Sequence, residues 1–342
     1  LAGELVRDGL PEGRVRRFFS SPGLEYNPLP METKLRELFG IYFDSDLTRE
    51  VQEKLFRLGR EILIDGKNGP GTGRAILAFE KERNLPANGK VTRNLLAALD
   101  KALKTETSRP LSEYKPPVPA KPSRTATHGR FTNESAIKTI SGLYLADKKI
   151  FDRMEAIHGV PGPVVASVMW IETGYGNYFG KNKAAVMLAS MAASADYSLV
   201  APRLRDLEEN EGAGAYLSET ALKRGAWARD ELEALLVYAW ENGLDPMDFP
   251  GSVYGAVGYG QFMPSNIKKH AVDGDGDRKI DLFDKTDAVH SIGNYLRNHG
   301  WRGDMSDEEK RREVIRRYNN SGVYVNTVLY VADRVAAGTG ER

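Results

Sequence analysis

Three aspartates alternate with glycines in Asp273-Gly274-Asp275-Gly276-Asp277, eight residues after the stretch Gly258-Tyr259-Gly260-Gln261-Phe262-Met263-Pro264-Ser265. Carboxylates at this spacing repel one another unless a cation lies between them. Asp273, Asp275 and Asp277 take positions 1, 3 and 5 of an EF-hand-like loop. Lys279 at position 7 would offer its backbone carbonyl, and Ile280 at position 8 the apolar anchor. A flexible all-oxygen loop suits calcium better than magnesium, which demands a tight octahedron and keeps its waters. Arg278 stands at position 6, where such turns want glycine, and Asp284 at position 12 is shorter than the usual bidentate glutamate. Asp287 could close a longer loop instead. Without a cation the same run is a solvated Asp/Gly turn.

A second chemical group is Glu172. It ends an otherwise apolar run, Pro163 to Thr173, which Gly174 stops. Partial burial beside Trp170 and Tyr175, and the negative end of the helix dipole, would both raise its pKa and keep it protonated near neutrality, as a general acid requires. Glycosidic bond cleavage needs such a proton on the leaving oxygen, and the glycines and aromatics around Tyr259, Gln261 and Phe262 suit sugar stacking and amide hydrogen bonds. The alternative is a surface glutamate at a frayed helix end.

The elements that carry these residues read as helices. Apolar periodicity predicts helical runs over Ala136 to His158, Pro163 to Thr173, Asp230 to Asn242, Lys285 to His299 and Asp307 to Tyr318, with little strand-like alternation. Upstream, Thr48 to Leu58, Gly71 to Phe79 and Thr92 to Leu99 form a three-helix module separated by glycine-rich turns. Between the two sets, Ser108 to Ser123 holds too many prolines for a helix and should run extended.

Composition removes several classes. The 342 residues, 41% hydrophobic and 28% charged, are enough for about two domains. A net charge of +1 gives no field for nucleic acid. With no cysteine there is no disulfide scaffold, thiol nucleophile or Cys-type zinc site. No apolar run is long enough to span a membrane, so an exported protein would have lost its signal or lipid anchor from this sequence. Ser265-Asn266-Ile267-Lys268 fits Ser-x-x-Lys but lacks the companion Lys-Thr-Gly, and Gly66 to Gly73 lacks the ending of a phosphate loop. The five histidines show no metal-ligand spacing.

Taken together, Ile171-Glu172-Thr173-Gly174-Tyr175-Gly176, the Gly258 to Ser265 stretch, the Asp273 to Asp287 loop and Tyr318-Asn319 with Tyr324 resemble the membrane-bound lytic murein transglycosylase B family over about residues 130–340. The resemblance implies a mostly α, lysozyme-like catalytic domain with an EF-hand-like metal loop. It also implies cleavage of the MurNAc-GlcNAc bond of peptidoglycan to 1,6-anhydroMurNAc ends, with Glu172 as sole acid and base. By the same carry-over Ser252, Tyr259, Gln261, Phe262, Asn319 and Tyr324 line the glycan cleft, and Asp273, Asp275, Asp277, Lys279 and Asp287 hold a structural calcium ion. A hydrolytic muramidase and a non-catalytic wall-binding protein are the alternatives. The acidic Leu207 to Tyr216 region departs from the family and alters the expected cleft wall. By itself, Tyr318-Asn319 also reads as a helix C-terminal cap.

The upstream module is similar to the peptidoglycan-binding-like three-helix domain in Val51-Gln52, Leu55, Asp65-Gly66, Gly69-Pro70, Phe79, Gly89 and Leu99, but carries Glu80 where that pattern has glutamine. The expected organisation is a helical segment 1–42 packing on the catalytic domain, a binding domain 43–105, a Pro-rich linker 106–128 and a catalytic domain 129–342. Partners implied are glycan strands and proteins of cell-wall synthesis or hydrolysis, at a periplasmic or envelope location.

Overall fold

The computed structural model describes residues 1–43, 45–116, 125–210, 212–303 and 305–340. The fold is mostly α-helical, as the periodicity predicts. The paired strands among the described residues are two-residue stretches, Asn182–Lys183 antiparallel to Pro250–Gly251, with Asn182 opposite Gly251.

Contacts divide the chain into two units, one of residues 1–26, 121–189 and 229–342, the other of 27–120 and 190–228. These divisions do not follow the expected boundaries at 42/43 and 128/129. The helix Leu29–Tyr42 falls in the second unit, with the three-helix module. The reason is aromatic and ionic: Phe39 stacks on Phe43 at 4.3 Å, both meet Tyr216, and Arg36 grips Asp206 through two bonds of 2.8 and 3.0 Å.

The first unit is organised around the helix Gly162–Thr173. Its apolar residues lie all round rather than on one stripe, the pattern of a helix buried on every side. Val165, Val168 and Met169 are fully buried, and the helix packs against Glu134–Ala146, Lys148–His158, Lys285–Asn298 and Gly322–Thr339. Burying each such side chain stabilises the fold by roughly 1.5–3 kcal/mol. Pro163 sits in its first turn, where no backbone donor is lost. Gly162 is required by close approach: a Cβ there would lie 2.9 Å from the Phe151 Cβ. Gly174, left-handed at φ 59°, ends the helix just past Glu172.

The single run expected over Ala136 to His158 is two helices, divided at Asp147. At the break the Asp147 carboxylate accepts hydrogen bonds from the Tyr175 hydroxyl at 2.8 Å and Lys285 Nζ at 2.7 Å. The run expected from Asp230 belongs to a longer helix, Ala213–Glu241.

In the second unit, Asp46–Arg57, Pro70–Glu82 and Arg93–Thr105 form the three-helix module. Ser45 and Thr92 cap two of these through their hydroxyls, as N-caps of this type should. The module has its own core, in which Val51, Leu55, Ile76, Phe79 and Leu99 are fully buried. One buried polar residue ties its turn down: the Gln52 side chain accepts from the Asp65 and Gly66 amides and donates to Asp65, Lys67 and Thr72. The start of the expected linker is held against this module, with Arg109 stacked 3.7 Å over Phe56 and the Tyr114 hydroxyl accepting from the Ile64 amide. Residues 117–124 of that linker lie outside the described residues.

Candidate active site

Glu172 occupies the last turn of the Gly162–Thr173 helix, partly buried, and its Oε1 accepts a hydrogen bond from the Tyr324 hydroxyl at 2.7 Å. Tyr324 is brought there by the first turn of Gly322–Thr339, which Ser321 caps. Burial pushes the Glu172 carboxyl up to about 7, and the Tyr324 hydrogen bond, which favours the anion, offsets only part of that rise. A carboxyl held near 7 can give a proton and take one back at neutral pH.

One bond joins the end of the Glu172 helix to the glycine-rich stretch, and two more brace the same corner. Thr173 Oγ1 donates to the Tyr259 carbonyl at 3.1 Å and accepts from the Gly176 amide at 3.0 Å. The Tyr318 hydroxyl donates to the Gly260 carbonyl. Gly258 to Gln261 form a tight hairpin closed by a reciprocal pair between Val257 and Phe262, at 3.0 and 2.9 Å. Tyr259 lies so close over the chain that a Cβ on Gly176 would come within 2.2 Å of its ring. Two non-glycine residues bordering this junction, Tyr175 at φ 64° and Gln261 at φ 47°, adopt left-handed backbone.

The other residues expected in the cleft fall into different roles. Gln261 Nε2 donates to the Gly258 and Phe179 carbonyls at 3.2 and 3.4 Å, so its amide braces the hairpin. Ser252 Oγ accepts from the Tyr254 and Ala256 amides and shapes the preceding turn. Asn319 is exposed and follows the helix Glu308–Tyr318, with its amide on the Ile315 carbonyl, so it also terminates that helix. Phe262 does not offer a stacking face. It is 3% exposed and packs edge-on against Tyr295 and Tyr318, behind the hairpin, because its position faces the core side of the Val257 pair.

Some participants were not singled out in the sequence. Tyr178 is 61% exposed two residues beyond Gly176, its amide fixed on the Thr173 carbonyl at 2.9 Å, and so offers an aromatic face at the edge of the site. Asp147 fixes Tyr175, the residue that begins the turn after the glutamate. Glu231, 5% exposed, receives the Ser265 amide and hydroxyl at 2.8 Å each and so anchors the helix that follows the hairpin. An isolated exposed tyrosine or buried acid carries no spacing signal in sequence.

The aspartate loop is wound by its own side chains. Asp273 accepts from the Gly276 and Arg278 amides, Asp275 from the Asp277 amide and Asp277 from the Lys279 amide. Asp287, 2% exposed, accepts from Gly274 and Asp281 at 2.7 Å each. Carboxylate oxygens of Asp273, Asp275 and Asp287 lie within 4.8 Å of one another. Asp277 is not in that group. Arg278 takes φ 73°, so position 6 has the left-handed backbone glycine usually supplies, reached here by an arginine. Asp284 caps the next helix through the Thr286 and Asp287 amides instead of closing the loop. The loop meets the hairpin directly, since the Tyr259 amide donates to the Leu282 carbonyl at 3.1 Å.

Comparison with known proteins places this geometry. A profile described as putative peptidoglycan binding domain matches residues 44–99. Membrane-bound lytic murein transglycosylase B of Escherichia coli (strain K12) is 34% identical over 155 residues, 45% of this chain. The matched stretch spans 36% of that protein's length. Among solved structures, soluble lytic transglycosylase SltB1 from Pseudomonas aeruginosa is similar with a TM-score of 0.51 and 20% identity, over 79% of this chain and 100% of its own. Escherichia coli lytic transglycosylase Slt35 in complex with calcium is similar with a TM-score of 0.52 and 20% identity, over 82% and 97%. SltB3 from Pseudomonas aeruginosa in complex with NAG-NAM-pentapeptide has a TM-score of 0.56 at 16% identity, over 98% and 78%. These likenesses show a shared fold. A profile described as transglycosylase SLT domain matches residues 83–310, about two thirds of the sequence, running through the Glu172 helix, the hairpin and the aspartate loop, and the chain belongs to that family.

Proposed function

We propose that this chain is a lytic transglycosylase that cleaves the MurNAc-GlcNAc β-1,4 bond of peptidoglycan and leaves 1,6-anhydroMurNAc ends. The observation that carries the reading is the setting of Glu172: burial and the Tyr324 hydrogen bond shape its pKa, raised to about 7, with no carboxylate among the described residues contributing to that shift. A two-carboxylate glycosidase sets a nucleophile or base opposite its acid. A lone group near 7 suits one residue serving as acid and then base.

In this mechanism Glu172 donates its proton to the glycosidic oxygen as the C1–O bond breaks, and the leaving sugar departs with that proton. The substrate's own N-acetyl group stabilises the oxocarbenium-like centre, the substrate-assisted route. Glu172, now an anion held by the Tyr324 hydroxyl, takes the proton of the muramic C6 hydroxyl, whose oxygen closes onto C1. No water is consumed. Tyr259, Gln261, Ser252, Asn319, Tyr324 and the exposed Tyr178 would border the glycan, while Phe262 supports the hairpin from behind.

The aspartate loop fits a hard cation, because its donors are all oxygens and three carboxylates converge within 4.8 Å of one another. Calcium would be held by Asp273, Asp275 and Asp287, with Asp277 and the Lys279 carbonyl completing an EF-hand-like set. Its role would be structural, fixing the loop on which the hairpin leans. The relative Slt35 was solved with calcium. The division into a wall-binding module within 43–105 and a catalytic part holding Glu172 is likewise proposed, as are glycan strands and wall enzymes as partners and a periplasmic or envelope location.

Digesting purified sacculi and reading the products by mass spectrometry tests the reaction. Anhydro ends are expected; reducing MurNAc ends would mean a hydrolytic muramidase, and intact sacculi a wall-binding protein.

A further inference from the structure

Soon after Glu172 the chain winds left-handed for three residues, Gly174 at φ 59°, Tyr175 at φ 64° and Gly176 at φ 88°. The turn closes the helix: the Gly174 amide donates to the Trp170 carbonyl at 3.0 Å and the Tyr175 amide to the Met169 carbonyl at 3.1 Å. Glycine adopts this backbone freely, whereas a tyrosine there crowds its own Cβ against the chain. A strained residue of this kind persists only where its surroundings overdetermine it. Here the constraint acts on the ring.

Tyr175 is 7% exposed, and its hydroxyl donates to Asp147 Oδ2 at 2.8 Å. Lys285 Nζ donates to the same oxygen at 2.7 Å and lies 5.4 Å from the centre of the Tyr175 ring. Asp147 stands at the break between Glu134–Ala146 and Lys148–His158, and Lys285 opens the helix Lys285–Asn298, whose first turn also carries Asp287. Lys148, beside Asp147, pairs with Asp152, and Lys285 pairs with Asp147. The lysine matters, because a partly buried carboxylate without its cation draws in water or a proton in place of the phenol.

We propose that Asp147 and Lys285 are positioning residues for the acid: by holding the Tyr175 ring they keep the left-handed turn closed, and the closed turn keeps water from the Glu172 carboxyl. Neither touches the reacting atoms. The proposal rests on Glu172 being the acid of the reaction proposed above. Loosening the turn hydrates Glu172 and lowers its pKa from about 7 toward the ordinary 4.5, since burial is what raises it. The titratable groups that face it, Tyr324 and Tyr318, keep their places. Loss of the Tyr324 bond would move Glu172 the other way, so the direction separates the two effects.

The test is a pH titration of the Glu172 carboxyl by carbon-13 NMR in the full chain, assigned through Glu172→Gln, with kcat and KM for anhydro product release from soluble glycan measured beside it. Tyr175→Phe, Asp147→Asn and Lys285→Met should each move the titration to lower pH by about one unit and lower kcat roughly tenfold, with KM changed less than about twofold. Tyr175→Phe combined with Lys285→Met should add little to either alone, because both act through Asp147. Lys285→Arg keeps the charge and should restore the wild-type titration. Tyr175→Phe loses a single oxygen, so it carries the test even if Asp147→Asn does not fold. A folded Tyr175→Phe or Lys285→Met whose Glu172 titrates as in the wild type overturns the proposal, whatever its melting temperature. A moved titration in a chain that makes no anhydro ends would keep the positioning and sink the proposed reaction, while anhydro ends with an unmoved titration would do the reverse.

Discussion

The Tyr324 hydroxyl donates to Glu172 Oε1 at 2.7 Å, and it does so from a side chain only 4% exposed. A bond to the charged form of a carboxyl lowers its pKa, so Tyr324 restrains a rise that burial drives. Tyr324→Phe should therefore shift the alkaline limb of the kcat/KM profile to higher pH and reduce the rate roughly tenfold, because the base that recovers the proton is less well held. An alkaline limb that stays in place would show that Glu172 is not the group it reports.

Glu172→Gln should abolish turnover, by at least about a hundredfold, while leaving glycan binding intact. Its stability effect has a definite sign. The folded pKa of about 7 lies above the ordinary 4.5, so folding is favoured while both states are protonated and loses free energy as pH rises from about 4.5 to about 7. The full span is on the order of 3 kcal/mol. The glutamine variant should then melt higher than the wild type at pH 8 and close to it at pH 4. Identical melting curves at both values would contradict the raised pKa.

Calcium should raise the thermal midpoint and chelator lower it, because the ion would bind the wound loop and not the unfolded chain. Asp273→Ala should remove the response. Asp287→Ala should go further and lower the midpoint even in chelator, since the Gly274 and Asp281 amides lose their acceptor. A wild type indifferent to both calcium and chelator would leave the loop as a hydrogen-bonded turn.

Thr173→Val keeps the shape of the side chain but breaks the bond to the Tyr259 carbonyl and the one from the Gly176 amide. Destabilisation of about 1–3 kcal/mol is expected, with kcat falling more than KM changes, because the hairpin loses its register against Glu172. Urea denaturation and steady-state kinetics on soluble glycan check both. A change confined to stability would remove Thr173 from the positioning of the site.

Much of this was legible where chemistry imposes a pattern. Glu172, the hairpin residues and the alternating aspartates announce themselves by type and spacing, and the buried helix by its uninterrupted apolar run. What escaped depends on side chains meeting across distant sequence. Phe262 looks like a sugar platform until the Val257 pair turns it inward. The unit boundary at Leu29–Tyr42 depends on Phe39, Phe43 and Tyr216 finding one another, and the break at Asp147 on Tyr175 and Lys285. Pairings of that kind leave no periodicity to read.

Tyr175 and Gln261 hold backbone angles that glycine would adopt without resistance. A programme of directed evolution that rewarded heat tolerance alone would be drawn to the partly buried Gln261, where glycine relieves local strain, and not to Tyr175, whose 7% exposed ring would leave a cavity. It would also delete the amide that braces the hairpin. Selection for durability and selection for turnover would therefore pull the Gln261 codon in opposite directions, while burial of Tyr175 ties the two demands together at the border of the reactive carboxyl.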